Sequence, residues 1–229
     1  MSWAPLESNP EVIIYKFLSR LGVPEKWQIV DVVSLDPDML GFIPRPVLAL
    51  ILLFPTNDNY NKLKDEQEAK ILEKGQKVSE KIYYLKQKIS NSCGTVALVH
   101  CIANNQDEIQ LGDGFLKQFL EDTKSMTPEE RGAAFESNTS FAASHQDLAL
   151  EGQTEVPSED NPPIHHFVTF IEKDGTLYEL DGRKSFPINH GPTTKDSFVE
   201  DAGKVMKEIM NNDPDNITFT VCALAAKSD

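Results

Sequence analysis

The segment that most constrains the fold is PRPVLALILLFP at residues 44–55, because its central part, VLALILLF (47–54), is apolar without interruption. A transmembrane helix needs roughly 20 apolar residues, so this run is far too short to cross a bilayer. As a strand it is apolar on both faces, which is typical of a strand covered on both sides. The run therefore predicts a central strand in the sheet of an α/β domain.

Periodicity and capping signals divide the rest of the chain into the helices and strands of one domain, residues 1–229. Helices are predicted at 9–23, at 58–77 as a solvated helix ending near Gly75, at 93–105, from the TPEE capping box at 127–130, and at 196–212. Strands are predicted at 27–35 and 217–226, with a hairpin around KDG within 165–183. Residues 144–163 hold three prolines, five acidic residues and no lysine or arginine, which predicts a long mobile loop.

Composition narrows the class of partner. The chain has 36 acidic and 22 basic residues and a formal net charge of −14, which argues against nucleic acid and anionic membranes and favours a basic partner. Its three cysteines, Cys93, Cys101 and Cys222, lack C-x-x-C spacing, so no disulfide framework, metal site or cofactor is predicted. The N-terminal residues do not resemble a secretory signal. We expect a soluble protein of the reducing cytoplasm, with the nucleus as an alternative.

Cys93 is the candidate nucleophile. It follows a cap at Asn91 or Ser92 and lies in the first turn of the predicted helix, where unpaired backbone N–H groups and the helix dipole stabilise a thiolate. Cys101 is in the middle of that helix and Cys222 is in the last strand, so both are predicted to be core residues. Position alone leaves Cys93 open between a nucleophile and a core residue.

A cysteine nucleophile needs a histidine base within hydrogen-bonding reach. His100 lies on the same predicted helix, roughly 10 Å along its axis from the cysteine, which is too far. His145 falls in the predicted loop and His190 in a predicted turn, so neither is expected to be held rigidly enough. The remaining candidates are His165 and His166, at the start of the hairpin.

The register of the hairpin decides between these two, because neighbouring strand residues point to opposite faces. A two-residue Asp174-Gly175 loop puts His166 diagonally across from Asp181 on one face, and a Lys173-Asp174 loop puts the two directly opposite. A three-residue loop selects His165 instead. The Asp-Gly sequence favours the first register and the pair of His166 with Asp181, although Asp181 could also be a simple turn residue in LDGR.

Several motifs carry a family resemblance. NSCGT, LVH followed by IANN, HF, and LYELDGRK followed by FPINHG occur in this order, with EGQTE between them. Together with PLE, NPEV, PRPV and the closing DPD, they closely resemble the ubiquitin C-terminal hydrolases, a family of papain-like thiol peptidases. The resemblance implies an α/β/α sandwich with a mainly antiparallel central sheet and a knotted backbone.

The resemblance also implies roles for individual residues. Cys93 would be the nucleophile, His166 the base, Asp181 its orienting partner, and Gln87 an oxyanion donor together with the backbone N–H of Cys93. Ser92, Ala97 and Cys101 depart from the usual family residues, and Asn216 replaces an acid. Contacts with ubiquitin are implied for Pro5, Leu6, Glu7, Asp31, Asp36, Glu151, Gly152, Gln153, Thr154, Glu155, Val156, Pro157, Ser158 and Phe219.

The activity implied is cleavage of small or unfolded adducts after the C-terminal glycine of ubiquitin, by a monomer without a cofactor. The basic tail of ubiquitin would account for the acidic balance of the chain. One alternative is a relative that prefers a ubiquitin-like modifier. Another is a binding protein that retains the fold and sequesters ubiquitin without cleaving it.

Overall fold

The computed structural model describes Trp3 and residues 15–151, 165–212 and 218–227, with Tyr15 and residues 148–151 described by their backbone alone. The predicted helix at 9–23 is present as α1 (Tyr15–Arg20), and its predicted beginning lies outside the described residues. The knotted path depends in part on residues outside these ranges and remains a prediction. In the described ranges, no helix is both long and apolar enough to cross a membrane.

A six-stranded antiparallel sheet forms the centre of the molecule, in the order β1-β6-β2-β3-β4-β5. Its strands are β1 (Trp27–Asp31), β2 (Val47–Pro55), β3 (His165–Lys173), β4 (Thr176–Leu180), β5 (Ile188–Pro192) and β6 (Thr220–Ala226). All residues of β2 except Leu53 are buried, which confirms the central strand predicted from the apolar run. The last strand, the first strand and the hairpin are also confirmed, whereas β5 was predicted as a turn.

Helices cover both faces of the sheet, which confirms the α/β sandwich. They are α2 (Pro37–Leu40), α3 (Asp58–Lys74), α4 (Cys93–Ala103), α5 (Gln106–Ile109), α6 (Phe115–Thr123), α7 (Pro128–Ser137), α8 (Thr139–Glu151) and α9 (Phe198–Asn211), in addition to α1. One core packs α4, α6 and α7 against Ala49 and Ile51 of β2. The other packs α9 against Leu50 and Leu52, which point to the opposite face. Every residue of α4 is buried, so the helix that begins at Cys93 is enclosed in the first core.

The capping signals located two helices correctly. Thr127 and Glu130 form the predicted capping box of α7, and α3 ends before Gly75, whose φ of 75° suits a glycine. The predicted loop at 144–163 is wrong in its first part, because α8 continues to Glu151. Contacts of His145 with α4 and with Trp3 stabilise this helix despite its weak periodicity. The rest of that predicted loop, 152–163, lies outside the described residues.

The hairpin between β3 and β4 has the register favoured by its Asp-Gly sequence. Lys173 pairs with Thr176 and Thr169 with Leu180, so the loop is Asp174-Gly175. Both loop residues have positive φ, 50° and 77°, as a type I′ turn requires. This register excludes the two alternatives and puts His166 and Asp181 on one face of the sheet.

Candidate active site

Cys93 is the first residue of α4 and its side chain is buried. Ser92 occupies the N-cap position, but its hydroxyl donates to the Ile89 carbonyl at 2.9 Å and does not cap the helix. The N–H groups of the first turn are therefore not occupied by a capping side chain. They lie where a thiolate on Cys93 gains from the positive end of the helix dipole.

His166 is fully buried on β3, and its Nε2 donates to Oδ1 of Asp181 at 2.6 Å. Asp181 follows β4 and is itself fully buried. The same Oδ1 accepts the backbone N–H of Arg183 at 2.9 Å, and Oδ2 accepts the hydroxyl of Tyr60 at 2.5 Å. The carboxylate therefore fixes the imidazole through Nε2, and Nδ1 is the ring nitrogen left for Cys93.

Electrostatic interactions favour the charged forms of all three groups. Burial opposes ionisation of the Cys93 thiol, but its interaction with His166 outweighs burial and lowers the thiol pKa. Burial also opposes the imidazolium, and Asp181 and Cys93 together overcome it and raise the pKa of His166 to about 9. Despite burial, the positive His166 and Lys184 and the hydrogen bond from Tyr60 hold the pKa of Asp181 well below its usual range.

These shifts have one chemical consequence. A thiolate on Cys93 and an imidazolium on His166 stabilise each other, so the shifts favour a nucleophile and a proton donor side by side. Nδ1 of His166 makes no conventional hydrogen bond in this structure. Such bonds are often long in unliganded enzymes and shorten when the substrate binds.

Gln87 lies against the turn that carries Asp181. Its backbone N–H donates to the carbonyl of Gly182 at 2.9 Å, and its side-chain Nε2 donates to the Ile89 carbonyl at 3.0 Å. An amide NH₂ has two protons, so the second can donate to another acceptor. Oε1 of the same side chain is buried without a partner. The side-chain amide of Gln87 therefore makes one hydrogen bond within the protein and keeps further hydrogen-bonding capacity.

A close approach at Gly182 holds this arrangement together. A Cβ at this position would lie 3.0 Å from Cβ of Gln87 and 3.0 Å from Cγ1 of Val96. A side chain here would force the turn, Gln87 or Val96 to shift by a few tenths of an ångström, so glycine suits the close contact of the Asp181 turn with α4 and with the segment that carries Gln87.

The other histidines have structural partners. His100 is buried, accepts the Leu85 N–H at 3.1 Å, and has a pKa lowered to about 4 by burial. His165 lies at 3.4 Å from the Thr218 hydroxyl.

Two predictions about histidines require correction. His145 was predicted in a loop, but it is buried in α8, with Nδ1 at 2.7 Å from the Thr95 hydroxyl. His190 was predicted in a turn, but it belongs to β5, where its Nε2 donates to Glu179 at 2.8 Å.

The two remaining cysteines are core residues, as predicted. Cys101 and Cys222 are buried, and burial raises the pKa of each to about 12. Neither thiol is therefore activated. Among the described residues, no cluster of histidine, cysteine and acidic side chains could hold a metal ion.

Three of the residues expected to contact ubiquitin have described side chains. Asp31 is exposed at the end of β1, and Asp36 is exposed with its carboxylate 2.9 Å from Nζ of Lys207. Phe219 is half-buried and lines a cavity of about 290 Å³ between α3 and α9. Glu151 ends α8, and its side chain is not described. Pro5, Leu6, Glu7 and residues 152–158 lie outside the described residues.

Tyr60 was missed by the sequence analysis. It lies in the first turn of α3, a helix whose charged sequence was predicted to be a solvated face. Its hydroxyl nevertheless reaches Asp181. The available signal was one aromatic residue in a charged helix that follows directly after the central strand.

Comparison with known proteins identifies the family. The model of the family described as "Ubiquitin carboxyl-terminal hydrolase, family 1" matches residues 3–211. The chain belongs to this family. The resemblance predicted from the motifs around Cys93 and Asp181 is thereby confirmed.

Members of the ubiquitin C-terminal hydrolase family resemble the chain over almost its whole length. A ubiquitin carboxyl-terminal hydrolase of Drosophila melanogaster is 50% identical over 226 residues, 99% of this chain and 98% of the relative. Isozyme L1 of Homo sapiens is 44% identical over 225 residues, 98% of each chain. A crystal structure of the Trichinella spiralis UCH37 catalytic domain bound to ubiquitin vinyl methyl ester shares the fold, with a TM-score of 0.76, 24% identity, and coverage of 99% of this chain and 97% of that one.

Proposed function

We propose that this protein is a deubiquitinating cysteine hydrolase in which Cys93 is the nucleophile, His166 the acid and base, Asp181 the orienting group and Gln87 an oxyanion donor. The observation that carries the proposal is the buried chain of contacts in which Asp181 binds Nε2 of His166 and the same imidazole lowers the pKa of Cys93. Membership of the family agrees with this chemistry.

The reaction follows from the contacts of these four groups. The thiolate of Cys93 attacks the carbonyl carbon of the terminal glycine, and the C–N or C–O bond to the adduct breaks as His166 gives its proton to the leaving group. Water, deprotonated by His166, then attacks the thioester and releases the carboxylate and the thiol. The backbone N–H of Cys93 and the free proton of the Gln87 amide are suited to stabilise the negative oxygen of each tetrahedral intermediate.

Ubiquitin is the substrate best supported. The relatives are named ubiquitin hydrolases, and one structural neighbour was crystallised with a ubiquitin derivative. A net charge of −14 suits the basic tail of ubiquitin. Asp31 and Asp36 are exposed, and binding of the tail by Asp36 would replace its ion pair with Lys207. A ubiquitin-like modifier is a second possible substrate on the same argument. We infer a monomer that acts in the cytoplasm or nucleus without nucleic acid.

The test is turnover of two fluorogenic substrates, one made from ubiquitin and one from a ubiquitin-like modifier, by wild type and Cys93→Ala. We expect wild type to cleave the ubiquitin substrate and Cys93→Ala to lose all turnover while it still binds ubiquitin. Cys101→Ala is the control and should retain activity, since its thiol is buried in the core. If wild type binds ubiquitin but does not turn over, the protein is a binder and the proposal is wrong.

A further inference from the structure

The carboxylate of Asp181 has a third hydrogen-bond partner, Tyr60, in addition to His166 and the backbone of its own turn. Oδ1 accepts from His166 and from the backbone of Arg183, and Oδ2 accepts from Tyr60 at 2.5 Å. Within the described ranges, no other side chain donates a hydrogen bond to Oδ2. Without Tyr60, the carboxylate would be held through Oδ1 alone, and its rotation about the Cβ–Cγ bond would be less restrained.

Tyr60 is itself firmly positioned. Its backbone N–H is bound at 2.9 Å by the side chain of Asn57, the N-cap of α3. Its ring packs edge-on against Phe54, with 5.1 Å between centroids, and lies 6.2 Å from the ring of His166. One side chain therefore contacts the orienting carboxylate through its hydroxyl and lies beside the imidazole with its ring.

We propose that Tyr60 is a positioning residue for the reaction, which fixes the rotation of the Asp181 carboxylate and so the direction of the His166 imidazole toward Cys93. This inference rests on the proposed function. Tyr60 acts through Asp181 and is not expected to contact the substrate. Through Tyr60, α3 gains a role in positioning the catalytic groups; this helix joins the central strand β2 to the segment that carries Cys93.

The hydrogen bond also tunes the charge that His166 experiences. A hydroxyl that donates to Oδ2 draws negative charge from the carboxylate, so less of it stabilises the imidazolium. Burial and the neighbouring Asp181 raise the pKa of Tyr60 far above its ordinary value, so the phenol keeps its proton and remains a donor at every pH at which the enzyme is active. The other charged groups near this pair are Glu179 on β4 and Arg183 and Lys184 in the following turn.

The experiment compares Tyr60→Phe with Tyr83→Phe. Tyr83 is the matched control, because it is also buried and its hydroxyl lies 2.7 Å from the Thr123 hydroxyl, with no contact to the site. We expect Tyr60→Phe to lower kcat for fluorogenic ubiquitin about tenfold, which corresponds to about 1.4 kcal/mol, with KM unchanged. Tyr83→Phe should change neither constant more than twofold, whatever it costs in stability.

A second readout separates positioning from general stability. The pKa of His166 is measured by NMR in Cys93→Ala, so that the titration belongs to the imidazole alone. Adding Tyr60→Phe should raise it, because the carboxylate regains charge, and adding Tyr83→Phe should leave it unchanged. Replacing Tyr60 with 3-fluorotyrosine, a stronger donor that keeps the ring, should lower it. This replacement also provides the test if Tyr60→Phe does not fold.

Two outcomes overturn the inference. If kcat and the pKa of His166 are the same in Tyr60→Phe as in Tyr83→Phe, the tyrosine has only a structural role. If 3-fluorotyrosine leaves the pKa unchanged, the hydrogen bond does not reach the imidazole. A wild-type enzyme that cannot cleave ubiquitin at all would instead refute the proposed function, so the two failures are distinguishable.

Discussion

Replacing Gly182 with alanine should damage both stability and catalysis, because the added carbon fits only if the turn or its neighbours shift. The new Cβ would lie 3.0 Å from carbons of Gln87 and Val96 and 3.2 Å from the backbone nitrogen of Gln87. Carbon atoms pack at about 3.5 to 4.0 Å, so the turn or its neighbours must shift by a few tenths of an ångström. Such overpacking costs about 1 to 3 kcal/mol of unfolding free energy.

The same displacement should lower the rate more than the stability alone suggests. It separates Asp181 from the Gln87 segment and weakens the 2.9 Å bond between the Gln87 N–H and the Gly182 carbonyl. A misplacement of about 1 Å can cost on the order of 100-fold in rate, so a shift of a few tenths of an ångström should cost less than that. We therefore expect kcat/KM for fluorogenic ubiquitin to fall between about 10- and 100-fold in Gly182→Ala, measured beside urea denaturation.

Gly203→Ala is the matched control, because it adds the same atom in a place that can accept it. Gly203 lies within α9, and its Cβ would be 3.6 Å from Leu40 and 3.8 Å from Leu35, which are ordinary contacts. Alanine in a helix should then stabilise by about 0.5 to 1 kcal/mol and leave kcat/KM unchanged. A Gly182→Ala variant that retains kcat/KM within twofold and stability within about 0.5 kcal/mol would refute the reasoning.

Three further predictions follow from the charges and the chain path. The value of kcat/KM should fall as pH rises through about 9, because His166 loses its proton there. Asp181→Asn should move this fall to lower pH. A fall near pH 6.5 in wild type would contradict the ion pair of Cys93 and His166. Glu179→Gln should cost about 3 kcal/mol in urea denaturation at pH 7, because it leaves the buried Lys184 without its carboxylate. Since the pKa of Glu179 is lowered to about 2, this difference should shrink as pH falls below about 4.5, and a pH-independent difference would exclude an electrostatic origin. From the family resemblance we expect the predicted loop to cross over the active site, so that a bulky leaving group must pass through it. Inserting about ten Gly/Ser residues after Gly152 should therefore speed cleavage of lysine-linked ubiquitin dimers. Small substrates should be unaffected, since doubling a loop costs only about 0.6 kcal/mol. Unchanged dimer cleavage would mean that this segment does not limit adduct size.

Local chemistry explains which features could be predicted from the sequence. The Asp174-Gly175 turn determined the hairpin register, because only residues that tolerate positive φ form this turn. That register placed His166 and Asp181 on one face, and the continuous apolar run identified β2 as central. Both signals lie within a few neighbouring residues, and each one is compatible with few local structures.

The features that were missed depend on contacts between distant segments. Residues 144–151 have little helical periodicity, and the helix there is stabilised by His145 against Thr95, 50 residues away. Tyr60 and Asp181 are 121 residues apart, and no local pattern connects them. Gly182 could be recognised in the sequence as a turn residue, but its contact with Gln87 is visible only in the folded chain.

The central claim is that His166, held by Asp181, activates Cys93, and the most direct test is one pair of neighbouring variants. We would measure kcat/KM for fluorogenic ubiquitin in His166→Ala and His165→Ala. The two residues are adjacent on β3, but only His166 contacts Asp181, and His165 lies at 3.4 Å from the Thr218 hydroxyl. We expect a loss of at least about 1000-fold for His166→Ala, as for other general bases, and less than about threefold for His165→Ala. Equal losses, or a larger loss for His165→Ala, would contradict this claim.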